Sequence, residues 1–139
     1  MYYKIFKIPV LNWLFRELGA IPIAGAKEDA DILRESYVKI QKALENGEIV
    51  CIFPEGKITK DGEMNEFKSG IERIINQTPV PVIPIALKGI YGSIFSRKHK
   101  IRLPRSLFRK ITIEIGDRIS PEEAKREILY DKVKELLNK

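Results

Sequence analysis

The residues with the clearest chemical potential lie in Phe53-Pro54-Glu55-Gly56-Lys57 and the polar stretch that follows. Glu55 stands just past an uninterrupted apolar run, Ile49-Val50-Cys51-Ile52-Phe53. Lys57, Lys60 and Lys68 bring three cations near that carboxylate, and Gly56 and Gly62 let the backbone approach a ligand closely. Cations and exposed amides in a tight loop suit a phosphate group. Pro and Gly are also ordinary turn residues. What distinguishes this loop is its root on an apolar run, because ligands of α/β sheets gather at the carboxyl ends of the strands.

Several elements must position that loop. Upstream, Leu33, Tyr37, Ile40 and Leu44 recur every three or four residues, which predicts an amphipathic helix begun by Asp29 or Asp31 as N-cap and stopped by Asn46-Gly47. Residues 49–53, β-branched and apolar throughout, predict a strand buried on both faces, with Cys51 as a small core residue. Downstream of the loop a short helix is expected over 67–76, then a buried strand at Pro81-Val82-Ile83-Pro84-Ile85-Ala86-Leu87 whose two prolines suit an edge. Ile111 to Ile119 alternates as a strand. Ser120-Pro121-Glu122-Glu123 reads as the start of a last helix, with an N-cap, a proline in the first turn and acids favourable to the dipole. Gly19-Ala20-Ile21-Pro22-Ile23 predicts a short buried strand, and Met1 to Phe15 an amphipathic opening that starts abruptly, as a domain missing its first element or an interfacial helix would. Together these predict an α/β fold with a mostly parallel central sheet flanked by helices.

At 139 residues the chain fits one domain, and 44% apolar with 32% charged residues is the balance of a folded protein. The formal charge of +6 is uneven: residues 88–110 hold eight of the 25 Lys and Arg residues and none of the 19 acids. Interleaved with Tyr91, Ile94, Phe95, Leu103, Leu107 and Phe108, this segment attracts phosphate, whether of nucleic acid, an anionic lipid headgroup or a charged substrate. Each such cation near an anionic membrane contributes on the order of 1 kcal/mol. A single cysteine excludes an intrachain disulfide framework, and no apolar run approaches the ~18 residues of a membrane span.

The stretch from Phe53 to Gly70, with its later Phe67-Lys68-Ser69-Gly70, resembles the Phe-Pro-Glu-Gly and Phe-Lys-x-Gly elements of the 1-acylglycerol-3-phosphate acyltransferase family. Val80-Pro81-Val82-Ile83-Pro84-Ile85-Ala86-Leu87 is similar to that family's proline-containing block, and Gly19-Ala20-Ile21-Pro22-Ile23 to its Gly-x-Ile-Pro-Ile block, in family order. Lys57-Ile58-Thr59 after Glu-Gly looks closest to the branch that acylates 2-acylglycerophosphoethanolamine.

The resemblance implies a glycerol-3-phosphate acyltransferase-like fold, N-terminally incomplete, as a single domain over 1–139 that lacks its catalytic segment. It implies transfer of a fatty acyl group from acyl-CoA or acyl carrier protein to a lysophospholipid or glycerol phosphate. Neither a cofactor nor a metal is implied, and no nucleic acid is expected. Glu55 and Gly56 would shape the acceptor site, Lys57 and Lys68 would compensate phosphate charge, and backbone amides near the loop would stabilise the oxyanion. Lys27 would stand in as a point charge where relatives carry an arginine after the Gly-x-Ile-Pro-Ile block. The family's His-x4-Asp block, the general base that would take the acceptor hydroxyl's proton, does not occur in this sequence. His99, the sole histidine, follows the other blocks and is followed at the fifth position by Pro104. The protein is therefore expected at the cytoplasmic face of a membrane, peripheral, resting on Lys88 to Lys110. The alternatives are a catalytically incomplete lipid- or phosphate-binding fragment, or a basic RNA-binding α/β module.

Overall fold

The computed structural model describes residues 3, 9–25, 28–57, 59, 61–90 and 110–139, with the side chains of residues 9–11 left out. Lys27, Lys60, and residues 91–109 with His99 and most of the basic segment lie outside the described residues. The chain divides into two compact units, Met1–Cys51 and Ile52–Lys139.

The first unit holds α1 (Pro9–Glu17) and α2 (Ala30–Glu45). Asp29 is the N-cap of α2: its backbone is extended and its Oδ1 accepts the Ile32 N–H at 3.0 Å. The apolar stripe buries Tyr37 and Ile40, with Ser36 beside them donating its hydroxyl to the Leu33 carbonyl at 2.6 Å. α2 stops as its sequence predicts. Gly47 takes φ +78°, the Gly47 N–H donates to Leu44 O at 3.0 Å, and the Glu48 N–H donates to Ala43 O at 2.9 Å. These paired bonds close the helix end only where a left-handed residue costs nothing, hence glycine.

Of the expected strand over 19–23, the described residues show pairing only at Ile23, a bridge residue whose carbonyl accepts the Tyr3 N–H at 3.0 Å. Gly19 and Ala20 are consumed by the same closing motif on α1, donating to Arg16 O at 3.0 Å and Phe15 O at 2.8 Å. The sequence pattern of a short apolar strand competes there with a helix terminus, and local hydrogen bonds to orphan carbonyls win.

The second unit holds α3 (Gly70–Gln77), β1 (Ile85–Lys88), β2 (Thr112–Ile115) and α4 (Arg126–Asn138). Its core gathers Phe67, Ile71, Ile75, Ile119, Ala124 and Leu129, with Ile52, Met64, Val82, Tyr130 and Val133 packed against it. Phe67 and Tyr130 meet edge to face, their centroids 5.4 Å apart and their planes at 80°. β1 and β2 pair antiparallel, Ile85 opposite Ile115 and Leu87 opposite Ile113. α4 covers one face of this ribbon, where Pro84 and Ala86 are buried. The other face leaves Ile83, Ile85, Leu87, Ile111, Ile113 and Ile115 exposed.

The ladder continues past β1 and β2 with its register shifted. Val82 pairs with Ile119 through reciprocal bonds of 3.0 and 2.8 Å, one residue beyond the partner that the β1–β2 register assigns to it. The extra residue is a bulge within Gly116-Asp117-Arg118. Strict alternation would put Ile119 on the exposed face with Ile113 and Ile115; the bulge turns it into the core, 8% exposed.

Other expectations compare with the described residues as follows. The mostly parallel sheet is not found: among the described residues the sheet is two-stranded and antiparallel. Residues 49–53 form no strand pairing among the described residues, and Ile49 is 98% and Phe53 72% exposed, as Cys51 is exposed too. A central strand is buried only by neighbours on both faces and edges, and none of the described segments pairs with this one. The last helix starts later than Ser120. Residues 120–123 form a separate turn, Lys125 is extended, and the Arg126 N–H is received by Glu72 Oε1 of α3 at 3.2 Å. A tertiary partner, not the local serine, satisfies the helix start.

Candidate active site

The polar loop of the second unit is closed on itself. Phe53 O accepts the Gly56 N–H at 3.1 Å, forming a turn through Pro54 and Glu55, and Pro54 O accepts the Lys68 N–H at 2.8 Å, tying the loop's beginning to its end. That second bond delays α3: residues 67–69 belong to the loop, and the helix starts at Gly70 instead of Phe67. Gly56 is in the left-handed region, φ +65°, with the stem of Lys68 3.5 Å from where a Cβ would stand. A side chain there would strain the left-handed backbone while meeting the lysine stem only at ordinary contact distance.

Glu55 is the loop's hub. Its Oε2 accepts the Asn65 backbone N–H at 2.7 Å and the Asn65 Nδ2 at 3.1 Å, so one carboxylate oxygen staples the far limb of the loop to its root. The tip folds through Asp61 Oδ1, which accepts from Thr59 Oγ1 at 2.8 Å and the Glu63 N–H at 3.1 Å, while Thr59 Oγ1 accepts the Gly62 N–H at 3.0 Å. Anchoring comes from Phe67, whose ring enters the core at 7% exposure. A rigid loop hung from one buried aromatic can hold charged side chains in fixed relative positions without burying them.

Between the two limbs and the start of α4 lies an open cleft of ≈ 460 Å³, lined by Glu55, Lys57, Asn65, Glu66, Lys68 and Arg126 among others. Three of the expected site residues, Glu55, Lys57 and Lys68, thus share one cleft, and Gly56 shapes the turn that presents them. Lys27 is outside the described residues, so it is neither placed with them nor apart from them. Lys88, the first cation of the basic segment, is half-buried and paired with Glu114 at 3.6 Å.

Sequence reasoning missed Asn65 and Arg126. Asn65 sits two residues before Phe67, inside the same motif stretch, and a buried-facing carboxylate at Glu55 that needs donors was the signal for it. No local signal marks Arg126, which arrives from the far end of the chain. Its Nη2 and Nε donate to Glu127 Oε1 at 2.8 and 3.2 Å. That hydrogen bond lifts the guanidinium further above its ordinary value and lowers the Glu127 carboxyl. Chemically, the cleft offers flexible ammonium groups, a guanidinium and a carboxylate already committed to the loop; it can bind and orient an oxyanion.

Residues 1–88 match the Acyltransferase family. Over 87 residues, 61% of this chain, the sequence is 37% identical to the chloroplastic 1-acyl-sn-glycerol-3-phosphate acyltransferase BAT2 of Brassica napus, covering 24% of that protein. Over 113 residues, 79% of this chain, it is 27% identical to a probable 1-acyl-sn-glycerol-3-phosphate acyltransferase of Mycoplasma pneumoniae, covering 42% of that protein. The crystal structure of the 1-acyl-sn-glycerophosphate acyltransferase PlsC from Thermotoga maritima shares the fold at TM-score 0.69 and 24% identity, over 98% of this chain and 52% of that one. The chain thus spans under half the length of these curated relatives and about half of the solved one.

Proposed function

The chain belongs to the acyltransferase family, and on that premise we propose that it forms the acceptor-binding part of an enzyme that moves a fatty acyl group from a thioester onto 1-acylglycerol-3-phosphate or a related lysophospholipid. The observation that carries this reading is the cleft in which Lys57 and Lys68 flank the Glu55 loop. The names of the Brassica and Mycoplasma relatives supply the acceptor.

In this reading the acceptor's phosphate lies between the lysines, and the glycerol hydroxyl is left to attack the thioester carbonyl. A base must take the hydroxyl's proton as the new ester bond forms, and the thiolate leaves with the other electron pair. Lys57 and Lys68 hold the headgroup as point charges, and Glu55, held by Asn65, fixes the backbone against which it rests. The donor, acyl-CoA or acyl carrier protein, is recognised elsewhere. Residues 88–110 are the surface we assign to the membrane, at its cytoplasmic face. In the complete enzyme, residues 49–53 take their place as a strand of a mostly parallel sheet.

The cleft's cations also support a second reading, a lipid- or phosphate-binding piece that does not itself catalyse. Acyl transfer separates the two. Labelled acyl thioester is offered with lysophosphatidate and lysophosphatidylethanolamine, first to this chain and then to the chain fused behind a segment carrying a His-x4-Asp block. Transfer in the fused form, lost on Lys68→Gln, is the expected result. Silence of both forms while lysophosphatidate still binds would select the second reading.

A further inference from the structure

The acceptor cleft has one cation that none of the motif blocks supplies. Arg126 lines it together with Lys57 and Lys68, although it lies outside the matched span of residues 1–88. Two backbone facts put it there. Lys125 is extended at the start of α4, and the Arg126 N–H is received by Glu72 Oε1 at 3.2 Å. The side chain therefore leaves the backbone at a point fixed by α3, whatever the residue's identity.

The guanidinium is not fully engaged. Both of its donor bonds fall on the same oxygen, Glu127 Oε1, from Nη2 at 2.8 Å and Nε at 3.2 Å, and Nη1 has no partner among the described residues. The Arg126 and Glu127 side chains are 40% and 65% exposed, so the pair is a weak, solvent-screened one that a better anion can displace. The Oε2 of Glu55 is meanwhile occupied by Asn65, and Glu66, which also lines the cleft, and Glu72 act on the guanidinium through charge, without a side-chain hydrogen bond to it.

We propose that Arg126 is the third phosphate-binding cation of the acceptor site and makes it select a phosphomonoester headgroup over a phosphodiester one. This rests on the reading that the cleft receives the acceptor. A monoester presents three terminal oxygens and a charge of roughly −1.5 to −2 at neutral pH. A diester such as a phosphoethanolamine headgroup presents two free oxygens, one negative charge and an ammonium of its own. Two lysines suffice to balance the diester. The planar fork of an arginine adds paired donors that only the additional charge and oxygen of the monoester use fully.

The test is calorimetric titration of the intact chain with glycerol 3-phosphate, glycerophosphoethanolamine and inorganic phosphate. Glycerol 3-phosphate is expected to bind most tightly. Arg126→Gln should weaken it by roughly 10-fold or more, the scale of a lost hydrogen bond to a charged group, while changing glycerophosphoethanolamine by less than about twofold on the same scale. Arg126→Lys should fall between. The Arg126→Gln variant keeps the backbone bond to Glu72, and its thermal unfolding should match the parent's. Unchanged glycerol 3-phosphate binding in Arg126→Gln, with loss in Lys57→Gln/Lys68→Gln, would overturn the assignment of Arg126 and leave the acceptor cleft standing. Inorganic phosphate bound as tightly as glycerol 3-phosphate would overturn the headgroup assignment. No binding of any of the three would overturn the acceptor cleft itself, and this inference with it.

Discussion

Residues 49–53 and 54–68 are adjacent in sequence and opposite in what they need. The polar loop closes within itself: Pro54 O to the Lys68 N–H, Glu55 to Asn65, Asp61 to Thr59 and Glu63, with Phe67 as its buried anchor. The apolar run leading into it shows no such closure among the described residues, with Ile49 and Phe53 largely exposed. Polar geometry that closes over a few residues is written locally. Burial of a strand is a property of its neighbours, and a sequence of branched apolar residues states only the demand for them.

The sharpest way to break this contrast is to remove the loop's anchor. Phe67→Ala takes a buried ring from the core and from its edge-to-face contact with Tyr130, and should cost about 3–5 kcal/mol, read as a large fall in the denaturation midpoint. A loss under about 1 kcal/mol would mean the loop does not depend on that ring. Next in size is Glu55→Ala, which strands the Asn65 N–H and frees the far limb. A cost of about 1–3 kcal/mol is expected, together with faster amide exchange over 61–66 seen by NMR.

The opposite limb of the comparison predicts near silence. Ile49→Ser should change stability by no more than about 0.5 kcal/mol in chemical denaturation, and the native Cys51 thiol should react with a maleimide as fast as in the unfolded chain. A substantial loss from Ile49→Ser, or a protected thiol, would mean the run is already covered. Smallest of all is a pH effect. The hydrogen bond from Arg126, then one from its own backbone N–H, then the charge of Arg126, lower the Glu127 carboxyl in the folded chain. A lowered carboxyl adds stability above the ordinary glutamate value, and that stability fades as pH falls through the folded one. Carbon-detected NMR titration should show Glu127 titrating low in the parent and nearer its ordinary value in Arg126→Gln.

Much of the local structure was legible. Asp29 as a cap, Asn46-Gly47 as a stop and the branched alternation of β2 each follow from the residues on the spot. The candidate site was legible as far as its loop: Glu55, Lys57 and Lys68 stand in one cleft because the loop that carries them is self-contained. Three features were not legible, and for one physical reason. The bulge that turns Ile119 inward, the start of α4 at Arg126 and the entry of Arg126 into the cleft are each decided by a partner distant in sequence: Val82 for the first, Glu72 for the second, the whole packing of α3 against α4 for the third. The parallel sheet is a different case, because no parallel pairing is seen among the described residues. The pattern at 49–53 was read correctly as apolar and β-branched, but pairing is not contained in a single strand.

The most direct test of the account is the affinity of the intact chain for glycerol 3-phosphate, compared with Lys57→Gln/Lys68→Gln at moderate salt. If the loop cleft is the acceptor site, the parent binds and the double variant loses affinity by roughly 100-fold, two lost interactions with a charged group. Equal binding by parent and variant would place the phosphate somewhere else and contradict the central claim.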